Sequence, residues 1–300
     1  MSHNHSHTHT HEVKDFNKAF AFGVILNSIY ILVEVFYGLI VNSMALIADA
    51  GHNLSDVLGL LLAWGAAHLA KKAASKTKTY GMRKSTILAA LFNSVFLMIA
   101  VGAIAIEAIR KILEPEPVAG TTVMIVAGIG VFINTITALL FIKGRKSDLN
   151  IRGAFLHMAA DAGVSAGVVL GGLIINFTSW YLIDPIISLG IVIVITYGTW
   201  GLLKESFNLS LDAVPKEIDF NEVDEYLRSI ELVNDVHDLH IWGMSTTEAA
   251  LTVHLIAPEL KNHDQFIQKT SYYLKHHFGI DHSTFQIESD PDCVNCNLNK

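Results

Sequence analysis

Charged side chains are scarce in this sequence. They make up 16% of its 300 residues, against about 25% in an ordinary soluble domain. The shortfall lies almost wholly before residue 205, and the remainder has the composition of a soluble domain. A uniformly water-exposed globule is thereby excluded, and a membrane part followed by an aqueous part is implied. Cysteine is nearly absent: Cys293 and Cys296 are the only two, so no disulfide framework exists. Basic charge is in deficit, with a formal net charge of −7. That balance does not suit a phosphate-binding surface and excludes nucleic acid as a partner. A secretory leader is also missing, because Met1 to Lys18 is polar and His-rich with no apolar core.

What the chain does have is six apolar stretches, near 16–40, 46–70, 86–112, 118–142, 151–176 and 181–204. Each reaches the roughly 20 residues of helix that cross a bilayer. The connections at Val41–Ala45 and Phe177–Trp180 are short enough to make their flanking helices antiparallel neighbours. Basic residues set the expected orientation. Lys71, Lys72, Lys76, Lys78, Arg83 and Lys84 follow the second stretch, and Lys143, Arg145, Lys146 and Arg152 follow the fourth. The loops after the first and fifth hold none, which places both termini in the cytoplasm. An N-terminal tail (1–15) with alternating histidines, a membrane domain (16–205), a cytoplasmic domain (206–290) and a C-terminal tail (291–300) are the expected parts.

Beyond Ser206 the pattern changes. Lys216 to Ile230 predicts an amphipathic helix, and Val236–Trp242 and Glu248–Ile256 predict strands. His263–Phe278 predicts a second helix and Thr284–Ile287 a last strand. The order αββαβ suggests a small open-faced α/β domain, perched near the size at which dimerisation helps folding.

Two motifs carry chemistry into the membrane. His52 and Asp56 lie four apart in the second stretch, as do His157 and Asp161 in the fifth, and four residues bring side chains onto one helix face. Ionisable groups at membrane depth are costly and face a partner or an aqueous path. Two imidazoles and two carboxylates converging from two helices suit Zn²⁺, and the two negative charges balance one divalent cation. A hydrogen bond within each helix is the plainer alternative for either pair taken alone. Metal ligands must lose protons to bind, so metal and protons would compete for such a site, as an antiporter requires.

Asn27, Glu34, Asn93, Glu107 and Asn134 are further polar residues in the stretches. Asp49, three residues before His52, reads as a packing or gating residue in preference to a proton relay. Gly163, Gly167, Gly171 and Gly172 are read as allowing close helix contact. In the aqueous part His237 and His240 fall on one strand and His254 on the next, where His237 and His254 can meet across a hairpin. Glu288 and Asp290 follow the last strand, and Cys293 and Cys296 form half of a zinc framework. The N-terminal histidines are candidates to complete it, and a disordered metal-buffering tail is an equal reading of them.

Together these residues resemble the cation diffusion facilitator family, close to its zinc-exporting members. The resemblance rests on NSMALIADAGHNLSD from Asn42 to Asp56, Tyr80-Gly81 with Arg83, His157 with Asp161, Asp184-Pro185, and VHDLHIW from Val236 to Trp242. It implies a six-span homodimer with a metallochaperone-like cytoplasmic domain, exporting zinc or related metals (Cd²⁺, Co²⁺) from the cytosol in exchange for protons. It maps the transport site onto His52, Asp56, His157 and Asp161 and cytoplasmic zinc sites onto His237, His254 and Glu288, with Cys293 and Cys296 beyond. His52 at the first motif position favours zinc. A bacterial inner membrane suits so compact a chain. The competing classes are a membrane-embedded metal sensor and a metalloenzyme without transport. For the enzyme the sequence supplies no His-Glu-x-x-His motif and no general base beside the ligands.

Overall fold

The computed structural model describes residues 12–142 and 149–289. Six long helices come first: α1 (Glu12–Ile40), α2 (Met44–Ala70), α3 (Ser85–Leu113), α4 (Gly120–Phe141), α5 (Leu149–Thr178) and α6 (Ile183–Ser210). Five of these are long and apolar enough to cross a membrane, and α1 contributes a shorter apolar stretch at Val24–Ile40. The six expected stretches all become helices. Then follow α7 (Phe220–Arg228), β1 (Asp235–Gly243), β2 (Ala249–Ile256), α8 (His263–Phe278) and β3 (Ile280–Glu288), the αββαβ order read from the sequence.

The described residues form two compact units. One contains the chain up to Leu60 together with Asn93–Trp200, and the other contains Leu61–Phe92 together with the chain from Gly201 onwards.

In the first unit a core of Leu46, Leu97, Val123, Val168 and Ile175 joins α2, α3, α4 and α5. The tightest approach is between α4 and α5. A Cβ built on Gly172 would lie 2.8 Å from the Gly120 carbonyl oxygen and 2.9 Å from the Met124 nitrogen. Only residues without side chains let two backbones come this close. Gly171 likewise admits the Ile187 side chain, whereas Gly163 and Gly167 face open space. The expected small-residue contact is therefore confined to the second half of the stripe. We expect Gly172→Val to lower stability by about 1–3 kcal/mol, the usual cost of overpacking against atoms that cannot turn aside. Gly163→Ala should stay within about 0.5 kcal/mol. Thermal unfolding of the purified protein in detergent checks both, and equal melting of the two variants would contradict the assignment.

The start of α2 is built from other helices. Asn42 has φ +59°, so the chain turns sharply between α1 and α2. Asp184 of α6 accepts hydrogen bonds from the Ser43 hydroxyl, from Met44 N at 2.6 Å and from Ala45 N at 3.4 Å. It thus caps a helix that has no acidic residue in its own first turn. Lys111 of α3, 3% exposed, donates to the Asn42 carbonyl at 2.8 Å and to its side-chain oxygen.

In the second unit, α7 begins at Phe220 rather than near residue 216, because the Asp219 carboxylate accepts from Asn221 N at 2.8 Å and Glu222 N at 3.3 Å. Arg228 ties the end of α7 to β1 through Asp235 at 2.6 Å, and its guanidinium holds the Asp235 carboxyl below the usual carboxylate range. The sheet order is β1-β2-β3, with β2 antiparallel to β1 and parallel to β3. A parallel neighbour needs a crossover, which α8 supplies. Gly279, with φ +70°, ends α8 in the left-handed conformation. The last strand starts at once at Ile280, earlier than the sequence suggested. Leu251, Val253 and Leu255 of β2 join Val223, Leu227 and Leu274 of the helices in one core, while Thr252 and His254 alternate to the other face. The segment after α2 belongs to this unit as well: Gly81 adopts φ +72° and Arg83 pairs with Glu248 at 2.5 Å.

Candidate metal centre

The two His/Asp pairs lie on neighbouring faces of α2 and α5. His52 Nε2 is 3.1 Å from Asp161 Oδ1, and His157 Nε2 is 3.2 Å from Asp56 Oδ2. The contacts within each helix are longer, 3.7 Å for His52 to Asp56 and 3.8 Å for His157 to Asp161. Each imidazole is thus closer to the carboxylate of the other helix than to its own. A purely local hydrogen bond would produce the opposite order. Four donors around one tetrahedral ion, with bonds of about 2.0–2.2 Å, stand about 3.3–3.6 Å apart. The four His–Asp separations straddle that spacing, but only His52, Asp56 and Asp161 offer atoms that all lie within 4.8 Å of one another, and His157 stands outside that group.

Burial is graded across the cluster. The side chains of Asp161, His52, Asp56 and His157 are 2%, 19%, 28% and 44% exposed. Asp56 Oδ2 and Asp161 Oδ2 are both sealed from solvent, and Asp161 Oδ2 has no hydrogen-bond partner, whereas His157 Nε2 stands 3.2 Å from Asp56 Oδ2. An unsatisfied buried carboxylate oxygen is expensive, and a cation is the partner that removes the cost. His52, Asp56 and Asp161 each offer a ligand atom within 4.8 Å of the others. One turn away Asp49, fully buried, accepts from the Ser165 hydroxyl at 2.7 Å. This bond crosses from α2 to α5. Asn27 of α1 reaches Met158, the neighbour of His157, at 3.9 Å.

The second cluster sits on the face of the sheet opposite the helices. His237 pairs in register with His254, and Ile256 with Glu288. Between His237 and His240 the register shifts by a bulge in which Asp238 takes φ +50°. Because His240 then pairs with Thr252, two residues from His254, the bulge turns His237 and His240 to the same side. His254 Nδ1 is 3.0 Å from Glu288 Oε1, and His237 Nε2 is 3.4 Å from Glu288 Oε2. The last two atoms are buried without a hydrogen-bond partner. A zinc ion fits this donor set, since it would satisfy both.

Asp238 was not singled out in the sequence, yet it lies 3.1 Å from His240 and 3.5 Å from His254. The available signal was an Asp between two histidines, the residue type that best tolerates a left-handed bulge. Asp290, Cys293, Cys296 and the N-terminal histidines from His3 to His11 lie outside the described residues.

A bundle of apolar helices with a His/Asp cluster inside it, carrying a small α/β domain, defines an integral membrane protein of the metal-transporting class. Comparison with known sequences agrees. The cation efflux transmembrane domain matches residues 21–209, and the cytoplasmic domain of cation efflux proteins matches residues 215–290. The chain belongs to the cation efflux family, the cation diffusion facilitators that its motifs resemble. It is 35% identical over 285 residues to the zinc transporter ZitB of Escherichia coli (strain K12), covering 94% of this chain and 90% of that one. It is 35% identical to the cation efflux system protein CzcD of Alcaligenes sp. (strain CT14), over 89% of this chain and 84% of the relative. The cadmium, cobalt and zinc/H(+)-K(+) antiporter of Bacillus subtilis (strain 168) is 33% identical over 87% of this chain and 85% of its own. Metal cation efflux is therefore the function of this chain at the level its family defines.

Proposed function

We propose that the chain exports Zn²⁺ from the cytosol in exchange for protons, by alternating access around His52, Asp56, His157 and Asp161. The carrying observation is the interhelical pairing, His52 with Asp161 at 3.1 Å and His157 with Asp56 at 3.2 Å. An ion bridging two helices is the arrangement by which a small relative movement of those helices can change which side the ion faces. Two carboxylates neutralise the divalent charge, and two imidazoles shift the preference from the all-oxygen sites of Mg²⁺ or Ca²⁺ towards zinc. The same four groups account for the exchange: a site that must shed protons to take metal takes them back when the metal leaves. The names of the relatives, two of which specify zinc, support the cargo.

The cytoplasmic cluster of His237, His254 and Glu288 holds a second zinc in this scheme, resident rather than transported. The match to the family's cytoplasmic domain supports a homodimer assembled through residues 206–290. Both termini face the cytoplasm of a bacterial inner membrane, on the strength of the basic loops after α2 and α4.

The decisive measurement is zinc entry into sealed vesicles that contain the protein and a zinc dye. Entry should accelerate when the lumen is made more acidic than the bath, because luminal protons leave as zinc enters. A protonophore should abolish the acceleration. Flux of equal rate with and without the gradient would remove the proton from the mechanism.

A further inference from the structure

Behind the His/Asp cluster lies a second pair of acidic side chains, apart from the four metal-facing groups. Glu34 of α1 and Asp49 of α2 are both 0% exposed. Each carboxyl has one oxygen satisfied by a hydroxyl group. Tyr30 donates to Glu34 Oε1 at 2.8 Å, and Ser165 donates to Asp49 Oδ2 at 2.7 Å. The remaining oxygens, Glu34 Oε2 and Asp49 Oδ1, are sealed from solvent, and the Asn53 side chain is a further hydrogen-bond partner of Glu34. The two carboxyls are themselves within hydrogen-bonding contact. An ionised carboxylate only accepts, so two of them in contact need a proton between them. Without it two like charges would share one dry site, which proteins avoid by keeping one group neutral.

We propose that Glu34 and Asp49 share a single proton and form a proton-binding site separate from the four metal-facing side chains. The pair then carries one negative charge rather than two. From α1 Tyr30 faces the pair, and its hydroxyl donates to Glu34. On α2 the titratable neighbour of Asp49 is His52, and on α5 it is Asp161, with Ser165 as the hydroxyl donor. Asn53, 4% exposed, donates to Glu34, and the contact between Glu34 and Asp49 still places two acceptors together. From α4 the residue against the Tyr30 ring is Gly130, where a Cβ would come within 2.1 Å of the phenol oxygen. The bonded chain Tyr30–Glu34–Asp49–Ser165 runs from α1 through α2 to α5, so the proton also fastens α1 to the pair of helices that carry the metal-facing side chains. This inference goes beyond metal-for-proton exchange, and its test needs neither metal nor flux.

Infrared spectroscopy of the full-length protein, kept metal-free by a chelator, reads it directly. At neutral pH the spectrum should contain a protonated-carboxyl C=O stretch that shifts in heavy water. Glu34→Gln and Asp49→Asn should each remove it, because the new amide N–H₂ replaces the shared proton as donor and lets the remaining carboxylate ionise. Asp56→Asn and Asp161→Asn should retain it. Survival of the band in Glu34→Gln, or its loss only in Asp56→Asn or Asp161→Asn, would overturn the proposal. Melting gives an independent reading. Raising the pH until the shared proton leaves should lower the melting temperature of the parent protein, because two buried charges then face each other. Glu34→Gln has no such proton to lose and should show no matching fall; superimposable pH profiles would count against the pair.

Discussion

Asp161→Asn should reduce zinc flux to the level of vesicles without protein, while the purified variant melts close to the parent temperature. Asparagine keeps the shape of the side chain and one acceptor oxygen but removes the charge. Asp161 is the most enclosed of the four metal-facing groups, with its side chain 2% exposed, and it lies 3.1 Å from His52. A divalent ion in that place would then face one carboxylate instead of two. Uncompensated buried charge of this kind costs about 3–5 kcal/mol, which is roughly a hundred- to several-thousand-fold in affinity. The loss should follow burial. Asp56→Asn should come next, with its side chain 28% exposed, and His157→Ala should be mildest, since His157 is 44% exposed and water can take its place. A zinc-dye assay across a range of zinc concentrations measures the order. Full flux in Asp161→Asn would mean that the ion crosses elsewhere.

Much of this architecture is legible in the sequence, for reasons that differ from element to element. The six helices are visible because a bilayer demands length and apolarity from each segment on its own. The two His/Asp pairs are visible because spacing by four fixes a common face before any tertiary contact exists. Their crosswise pairing is not visible, since it depends on how α2 and α5 are rotated about their own axes. The strand pair carrying His237 and His254 follows from alternation, but the bulge at Asp238 does not, because a left-handed residue leaves no periodic trace. The start of α7 is signalled by Asp219, a capping residue, whereas the apolar period by itself points to an earlier start at Lys216. Among the glycines only tertiary structure separates Gly172, pressed on the α4 backbone, from Gly163, which meets nothing. The polar residues Glu34 and Asp49 could be named, but their contact spans two helices and appears only once α1 is packed.

The residue whose loss should unsettle the fold most is Asp184, far in sequence from the helix it serves. Asp184→Ala removes the acceptor for the Ser43 hydroxyl, for Met44 N and for Ala45 N at once. All three donors belong to residues that are at most 4% exposed, so water cannot readily substitute. Each buried group left unpaired costs about 1–3 kcal/mol, and the carboxylate's attraction to the positive end of α2 is worth up to about 2 kcal/mol more. Since such terms do not add fully, a net loss of about 3–5 kcal/mol is expected. Asp184→Asn keeps an acceptor and loses only the charge, so it should fall between the parent and alanine. The consequence reaches the metal centre, because α2 carries both His52 and Asp56. Freeing its first turn lets the helix shift against α5, and a displacement of about 1 Å is enough to cost about a hundredfold in a process that needs aligned groups. Melting and flux should therefore fall together in Asp184→Ala. Melting at the parent temperature would show that α2 caps itself by other means, and full flux in a destabilised variant would show that the metal-facing groups hold their places without that clasp.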